Sequence, residues 1–149
     1  MDEAIARDVH VAAVVVWIGG VAFVTMVVLP ILRGRCEADS MKLFGAVEQR
    51  FARLARGTTL LAGLSGLYML YRLDLWDRFL SPRFWWMHAM VLVWALFTTM
   101  LFVVEPLGER RHAAETDLAR LERLHWVALA LSLVTIFGAV AGSHGLLFF

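Results

Sequence analysis

Charged residues are distributed unevenly along this chain, and four long tracts contain no charged residue. The tracts are rich in Val, Leu, Phe and Trp, and they cover residues 9–32, 57–71, 84–104 and 124–149. A helix needs roughly 20 apolar residues to cross the hydrocarbon core of a bilayer, and each tract reaches or approaches that length. The pattern therefore predicts four membrane-spanning helices, with spans at about 9–32, 57–71, 84–104 and 124–146.

The segments between the tracts extend these helices and do not form a second domain. Residues 41–56 carry apolar side chains at helical spacing, which predicts an amphipathic helix that leads directly into the second span. Residues 109–123 have mixed charges and predict a solvated turn or two of helix before the fourth span. We therefore expect one all-α domain over residues 1–149, an integral membrane four-helix bundle with up-down topology.

Composition supports the membrane class. Sixty per cent of the 149 residues are hydrophobic and the mean hydropathy is +0.71. Such values exclude a disordered chain, a fibrous repeat and an ordinary soluble enzyme. The net charge of +1 gives no reason to expect nucleic acid as a partner. Because Cys36 is the single cysteine, the sequence has neither an intrachain disulfide nor a C-x-x-C-H motif for covalent haem.

The basic residues predict how the bundle is oriented. Of the 14 Lys and Arg residues, ten lie in the first and third connections between spans. Basic loops stay in the cytoplasm, so we expect both termini to be periplasmic in a bacterial inner membrane. The first tract is expected to stay as a helix, because the acidic residues Asp2, Glu3 and Asp8 outweigh Arg7 and do not resemble a cleaved signal peptide.

Histidines are the candidate functional residues in the apolar tracts. No Asp, Glu or Lys lies well inside a predicted span, which argues against a proton-driven pump or a transporter of charged substrates. Four of the five histidines lie in the tracts or at their edges: His10, His88, His125 and His144. An imidazole in hydrocarbon is costly unless it is hydrogen-bonded or ligated, so each of the four needs a partner.

The depths of these histidines predict a shared site. His10 and His88 lie near the starts of the first and third helices, which run in the same direction in an up-down bundle. His144 lies near the end of the fourth helix and returns to the same outer side. His125 precedes it on that helix by about 28 Å, roughly one hydrocarbon thickness. We therefore expect the first three to converge at the outer side, with His125 near the cytoplasmic side.

Haem b is the first cofactor that such a site suggests. Haem iron takes one or two imidazoles and needs an apolar slot, and Arg83 is placed to meet the propionates. Trp17 is among the aromatic residues expected to pack on the porphyrin. The slot itself is predicted from the glycines Gly19, Gly20, Gly63, Gly66, Gly138 and Gly142. The expected iron ligands are His10, His88 and His144, and His125 is the ligand expected if a second haem binds.

Several of these features have other readings. Copper is the alternative metal, because three imidazoles with Met69 or Met90 nearby form a copper site. His125 alone is explained as well by an interfacial role, and His112 by a place on the solvated surface. The glycine pairs are also typical of helices that pack closely. An interfacial aromatic belt is the expected role of Trp76, Trp85, Trp86 and Trp126.

Three segments resemble known membrane protein families. The run His10-x6-Trp17-Ile18-Gly19-Gly20, followed by Leu29-Pro30, is similar to the opening helix of CopD-like proteins and of the related HemJ-type protoporphyrinogen oxidases. Glu48-Gln49-Arg50 resembles the HemJ segment ahead of the second helix. Trp86-Met87-His88-Ala89 resembles the Trp-x-His-Ala-Lys start of HemJ helix three. The resemblance implies a four-helix membrane bundle, often oligomeric, that binds haem b through histidine, and His10 matches the histidine implicated in HemJ proteins.

One departure separates the chain from the HemJ enzymes. The lysine that their motif has two residues after His88 is Met90 here, and Lys42 is the only lysine. The first expectation is therefore a haem b membrane protein with a redox, electron-transfer or small-ligand role. HemJ-like protoporphyrinogen IX oxidase activity, an oxidoreductase reaction, and CopD-like copper uptake are the alternatives. The expected partners are the lipid bilayer, a second copy of the chain in a homodimer, and an unknown redox partner.

Overall fold

The computed structural model describes residues 1–33, 38–104 and 118–146, and within those ranges every element is helical. The α-helices are α1 (Asp2–Phe23), α2 (Leu29–Arg33), α3 (Ala38–Arg72), α4 (Trp85–Thr99) and α5 (Leu118–Ser143). The predicted all-α membrane bundle is confirmed.

The first membrane helix is longer than its apolar tract. α1 begins at Asp2, well before the tract, because Asp2 and Glu3 lie at the positive end of the helix dipole and stabilise its first turn. A π-helical segment, Val24–Val28, then joins α1 to α2. Pro30 lacks an N–H and crowds the carbonyl four residues before it, which accounts for the wider turns just ahead of it.

α3 confirms the predicted amphipathic run. Its 35 residues form one helix that passes from the charged segment into the second apolar tract. It ends in a Schellman turn, in which the Leu75 amide donates to Leu70 O (3.1 Å) and the Asp74 amide donates to Tyr71 O (3.4 Å). Asp74 takes a φ of 49° at the position of this turn that usually holds glycine.

Among the described residues, three helical stretches are long and apolar enough to cross a membrane: Asp2–Leu32, Pro82–Val104 and Arg120–Ser143. They contain most of the first, third and fourth predicted spans, and they indicate a multi-pass membrane protein. α3 is not among them, because Arg56 and Arg72 bound its apolar part and Gly, Thr, Ser and Tyr residues interrupt it. The span predicted at residues 57–71 therefore stays a prediction.

The connection from α3 to α4 is short and structured. It contains two 3-10 helical turns, Trp76–Leu80 and Pro82–Phe84, and leads into α4 at Trp85. α4 continues through a second π-helical segment, Met100–Val104, so this helix covers nearly the whole third tract.

α5 covers Leu118–Ser143 and so includes helical turns ahead of the fourth span, as predicted from the mixed charges of residues 109–123. The α-helix ends at Ser143, before the predicted end of the span at residue 146. Its end is a second Schellman turn, in which the Leu146 amide donates to Ala141 O (3.0 Å) and the Gly145 amide to Gly142 O (3.2 Å). Gly145 has a φ of 74°, which glycine adopts without strain, so the helix stops before the apolar sequence does.

The first two long helices pack as antiparallel neighbours. Near the start of α1, His10 is hydrogen-bonded to Ala62 on α3. Near the end of α1, Gly20 faces the ring of Phe51. The residue numbers rise on one helix as they fall on the other, which is the up-down arrangement.

α3 and α4 are antiparallel as well. Arg56 Nε donates to Leu101 O (3.0 Å), and Trp94 Nε1 donates to Thr59 O (2.9 Å). α5 packs on α4, and the core where the helices meet consists of Ala13, Trp17, Ile18, Val21, Ala55, Ala62, Val93, Phe97 and Leu129. Large apolar side chains on the outside stay exposed and would contact lipid, among them Leu64, Leu92 and Phe137.

Candidate functional site

His10 connects two helices and is the best-defined polar contact at this end of the bundle. It lies on α1 and is half-buried against α3. Its Nδ1 atom is 2.9 Å from Ala62 O and 3.2 Å from Ser65 Oγ. The Ser65 hydroxyl has carbonyl acceptors on its own helix at Leu61 and Ala62.

The partners of His10 determine its tautomer. A carbonyl oxygen only accepts hydrogen bonds, so in the neutral ring Nδ1 carries the proton and donates it to Ala62 O. The lone pair is then on Nε2, for which no hydrogen bond to a described residue is found. Histidines that bind metals use this arrangement, in which one ring nitrogen donates to a carbonyl and the other is the ligand.

Gly66 gives the His10 ring its place on α3. A β-carbon at residue 66 would lie 3.3 Å from His10 Cε1 and 3.5 Å from Nδ1, which is a tight contact. The ring therefore packs directly on the helix backbone, where it can reach Ala62 O. Ala62 and Gly66 are one turn apart on α3, so small residues flank the contact on both sides.

His88 has a different environment. It is exposed, and its two ring nitrogens both face carbonyls of the nearby chain: Nε2 is 3.0 Å from Phe79 O and Nδ1 is 3.4 Å from Phe84 O. Its ring also meets the Phe79 ring edge to face, with centroids 5.3 Å apart. These contacts connect the start of α4 to the short connection before it.

His125 and His144 each bond to their own helix turn. His125 Nδ1 is 3.0 Å from Leu121 O, and His144 Nδ1 is 2.8 Å from Val140 O. His144 is exposed and has a further contact with Ser143 Oγ at 3.3 Å. His112 lies outside the described residues.

The predicted convergence of three histidines in one cluster is not found. Antiparallel packing does place His10, His88 and His144 toward the same end of the bundle. Within the described ranges, however, no group of three or more His, Cys, Asp or Glu side chains stands close enough to hold a metal ion. Equal depth does not bring all three rings together, because each is bonded to a carbonyl on a different part of the chain. A preformed three-imidazole copper site is therefore absent from this part of the molecule.

The predicted glycine slot is occupied by the protein's own aromatic rings. Phe51 lies on Gly20, Trp94 on Gly63, Trp85 on Gly138 and Trp86 on Gly142, in each case where a β-carbon would overlap the ring. These glycines therefore give close packing within the chain and do not line an open cleft. Gly66 lies against the His10 ring, and nothing lies within 4 Å of the β-carbon position of Gly19.

Trp17 and Arg83 are the remaining predicted site residues, and Trp86 is a predicted interfacial residue. Trp17 is a core residue, 4% exposed, and its ring meets Phe97 edge to face at 4.9 Å. The interfacial role predicted for Trp86 is wrong, since the residue is also 4% exposed and packs inside the bundle. Arg83 is exposed beside the start of α4.

The sequence reasoning missed the polar residues of the second tract. Ser65 contacts His10, and Thr59 is fully buried, with its carbonyl accepting from Trp94. The signal was present, because a hydroxyl in an apolar tract needs a partner just as a histidine does.

The comparisons with known proteins point to a family and give no activity. A family model described as "Domain of unknown function (DUF4149)" matches residues 12–117, which is well over half of the chain. No curated protein and no solved structure matches. The function therefore has to be argued from the arrangement around His10.

Proposed function

The chain belongs to the DUF4149 family, and we propose that it is a haem b-binding membrane protein with a redox, electron-transfer or small-ligand role. His10 is the proposed iron ligand. When bound, haem b supplies one-electron redox chemistry or a binding position for a small molecule at its iron.

The hydrogen bond of His10 to Ala62 O carries the proposal. Among the described residues, His10 is the only histidine whose ring bonds to a carbonyl of another long helix. The bond orients the ring, fixes the proton on Nδ1 and leaves the Nε2 lone pair for a metal. The chemistry of this donor therefore fits a residue that would hold haem iron through Nε2.

A second histidine that would hold the haem is proposed from the same end of the bundle. Nδ1 of His144 is hydrogen-bonded to Val140 O, so its Nε2 is the nitrogen that could bind iron. In His88, by contrast, Nε2 is hydrogen-bonded to Phe79 O. We therefore favour His144 over His88. His125 is at the far end of α5 and is the proposed ligand only if a second haem binds.

Location and partners follow from the sequence pattern. We propose the bacterial inner membrane with both termini periplasmic, because ten of the 14 basic residues lie in the first and third connections. A homodimer and a redox partner are part of the same proposal, since an electron carrier must exchange electrons with another protein.

Haem content tests the proposal. The protein is purified in detergent from haem-replete cells, and its haem is measured by the visible spectrum and the pyridine haemochrome. Wild type is expected to hold noncovalent haem b that acid-acetone extracts completely. His10→Gly is expected to lose it, and added imidazole is expected to restore binding by replacing the missing ligand. His125→Ala is the matched control, because its ring bonds only to its own helix, and it should keep the outer haem.

Three results would contradict the proposal. A His10→Gly protein with wild-type haem content and spectrum would remove His10 from the site. A colourless wild type loaded with copper would favour the CopD-like alternative. A wild type that oxidises protoporphyrinogen IX with turnover would favour the HemJ-like enzyme.

A further inference from the structure

Two polar atoms in the bundle core have no partner among the described residues. They are Trp17 Nε1 and Thr59 Oγ1. Trp17 is 4% exposed and Thr59 is 0% exposed, so neither side chain is in contact with solvent or lipid to any extent that matters. A buried N–H or O–H without a partner is costly, and more so inside a membrane, where no bulk water compensates for it.

Thr59 differs from the other hydroxyl residues of the core. Thr58, its neighbour, donates to Leu54 O at 3.0 Å, and the same bond to the carbonyl four residues back is made by Thr25, Ser65, Ser132 and Thr135. This local bond is open to any Ser or Thr in a helix. The Thr59 hydroxyl does not make it and has no other hydrogen bond to a described residue.

The two residues that carry these atoms contact neighbouring turns of one helix, α4. The Trp17 ring packs edge to face on Phe97 of α4, with centroids 4.9 Å apart. The Thr59 carbonyl accepts from Trp94 of α4 at 2.9 Å. Trp94 and Phe97 are three residues apart and therefore on the same face of α4. Trp17 of α1 and Thr59 of α3 thus meet the same face from two sides, within the core where α1, α3 and α4 join.

The chemistry of the two groups defines what binds between them. An indole N–H only donates, so the ligand must accept a hydrogen bond from Trp17. The Thr59 hydroxyl both donates and accepts. The apolar core cluster of the bundle contains Trp17 and the small residues Ala13, Ala55 and Ala62. A small neutral molecule with an oxygen acceptor suits this setting.

We propose that Trp17 Nε1 and Thr59 Oγ1 bind one internal water molecule at the centre of the bundle. Buried waters in proteins occupy such positions and make about three hydrogen bonds to otherwise unsatisfied groups. The site is two turns from His10 along the same face of α1, at Trp17. It does not depend on haem binding.

Thermal stability in detergent distinguishes a bound water from two unpaired groups. Thr59→Val keeps the shape of the side chain and removes its hydroxyl. If water binds, the variant loses a bond and leaves Trp17 and the water short of a partner, so Tm is expected to fall by about 2–4 °C. If nothing binds, removing an unpaired hydroxyl raises Tm or leaves it unchanged, which overturns the proposal. Thr58→Val is the matched control and should change Tm by less than Thr59→Val.

Indole N–H resonances give a second readout that does not depend on stability. The protein is labelled with ¹⁵N-tryptophan, and the Trp17 signal is assigned by its loss in Trp17→Phe. The Trp17 N–H is expected to show a cross-peak at the water frequency in deuterated detergent. Thr59→Val should shift this signal and weaken the cross-peak, while Thr58→Val leaves both unchanged. A Trp17 signal without a water cross-peak, or one that Thr59→Val does not move, overturns the proposal, as does an organic ligand released in equal molar amount on denaturation.

Discussion

Gly63 on α3 lies against the indole of Trp94, and its replacement by alanine is expected to destabilise the bundle. A β-carbon at Gly63 would be 2.6 Å from Trp94 Cε2 and Nε1, and 2.7 Å from Cζ2. Carbon atoms do not approach so closely, so the indole has to move. Its Nε1 donates to Thr59 O at 2.9 Å, and any large movement breaks that bond.

Three effects determine the size of the change. An extra carbon in a packed site costs about 1–3 kcal/mol, and loss of the Trp94 hydrogen bond costs about 1 kcal/mol more. Alanine recovers about 1 kcal/mol of helix propensity relative to glycine. The free energy of unfolding is therefore expected to fall by about 2 kcal/mol, which lowers Tm by roughly 4–8 °C for a chain of this size.

The assay is thermal unfolding in detergent, followed by circular dichroism and tryptophan fluorescence. Gly57→Ala is the matched control, because Gly57 is on the same helix and nothing lies within 4 Å of its β-carbon position. Its Tm is expected to stay constant or rise by about 2–4 °C. If Gly63→Ala proves as stable as Gly57→Ala, Trp94 does not pack on α3 in the way described.

The remaining predictions concern the helix ends and the orientation. Gly145→Ala should lower Tm by roughly 2–4 °C, because a residue with a β-carbon is strained by about 1 kcal/mol at a φ of 74°. Asp74→Gly should raise Tm by a similar amount, since it relieves the same strain at a φ of 49°, and an unchanged Tm in both thermal scans would refute the role of the two turns. A reporter fused after Phe149 should be active only if it is one that requires the periplasm; cytoplasmic activity would invert the topology.

The position of the helices was predictable from charge, but their ends were not. Uncharged tracts located the membrane helices, because charged side chains are excluded from hydrocarbon. Charged residues do not end a helix, however, so α1 begins at Asp2, well before its apolar tract. What ends α5 is the positive φ of Gly145, a backbone property that hydropathy does not report.

The depth of the histidines in the bundle was predictable from the sequence, but the orientation of their rings was not. Counting residues along a helix gives the height of a side chain, and His10, His88 and His144 do lie toward one end. Whether the rings meet depends on how each helix is rotated about its axis and on local acceptors. His88 is drawn to Phe79 O in the connection before α4, an acceptor that no sequence pattern indicates.

The glycine pattern was ambiguous for a similar reason. A glycine on a helix allows another group to approach the backbone closely, and the sequence alone does not show whether that group is a cofactor or an aromatic ring of the same chain. The answer depends on the register between neighbouring helices, which places Trp86 on Gly142 and Trp94 on Gly63. Trp86 consequently lies inside the bundle, although its position at the end of an apolar tract is typical of an interfacial residue.

The hydrogen bonds of His125 and His144 are local to one helix turn, whereas the hydrogen bond of His10 depends on how two helices pack. The bonds of His125 and His144 run to carbonyls four residues earlier, so they form wherever α5 is helical and carry no information on the bundle. The bond of His10 to Ala62 O joins residues 52 apart in the chain and forms only when α1 and α3 are packed in register. Gly66 and Ser65 lie on the same face of α3 and hold the ring in that position. The orientation of His10 Nε2 is therefore a product of helix pairing, and a ligand that binds there would stabilise the paired state over any state in which α1 and α3 have separated.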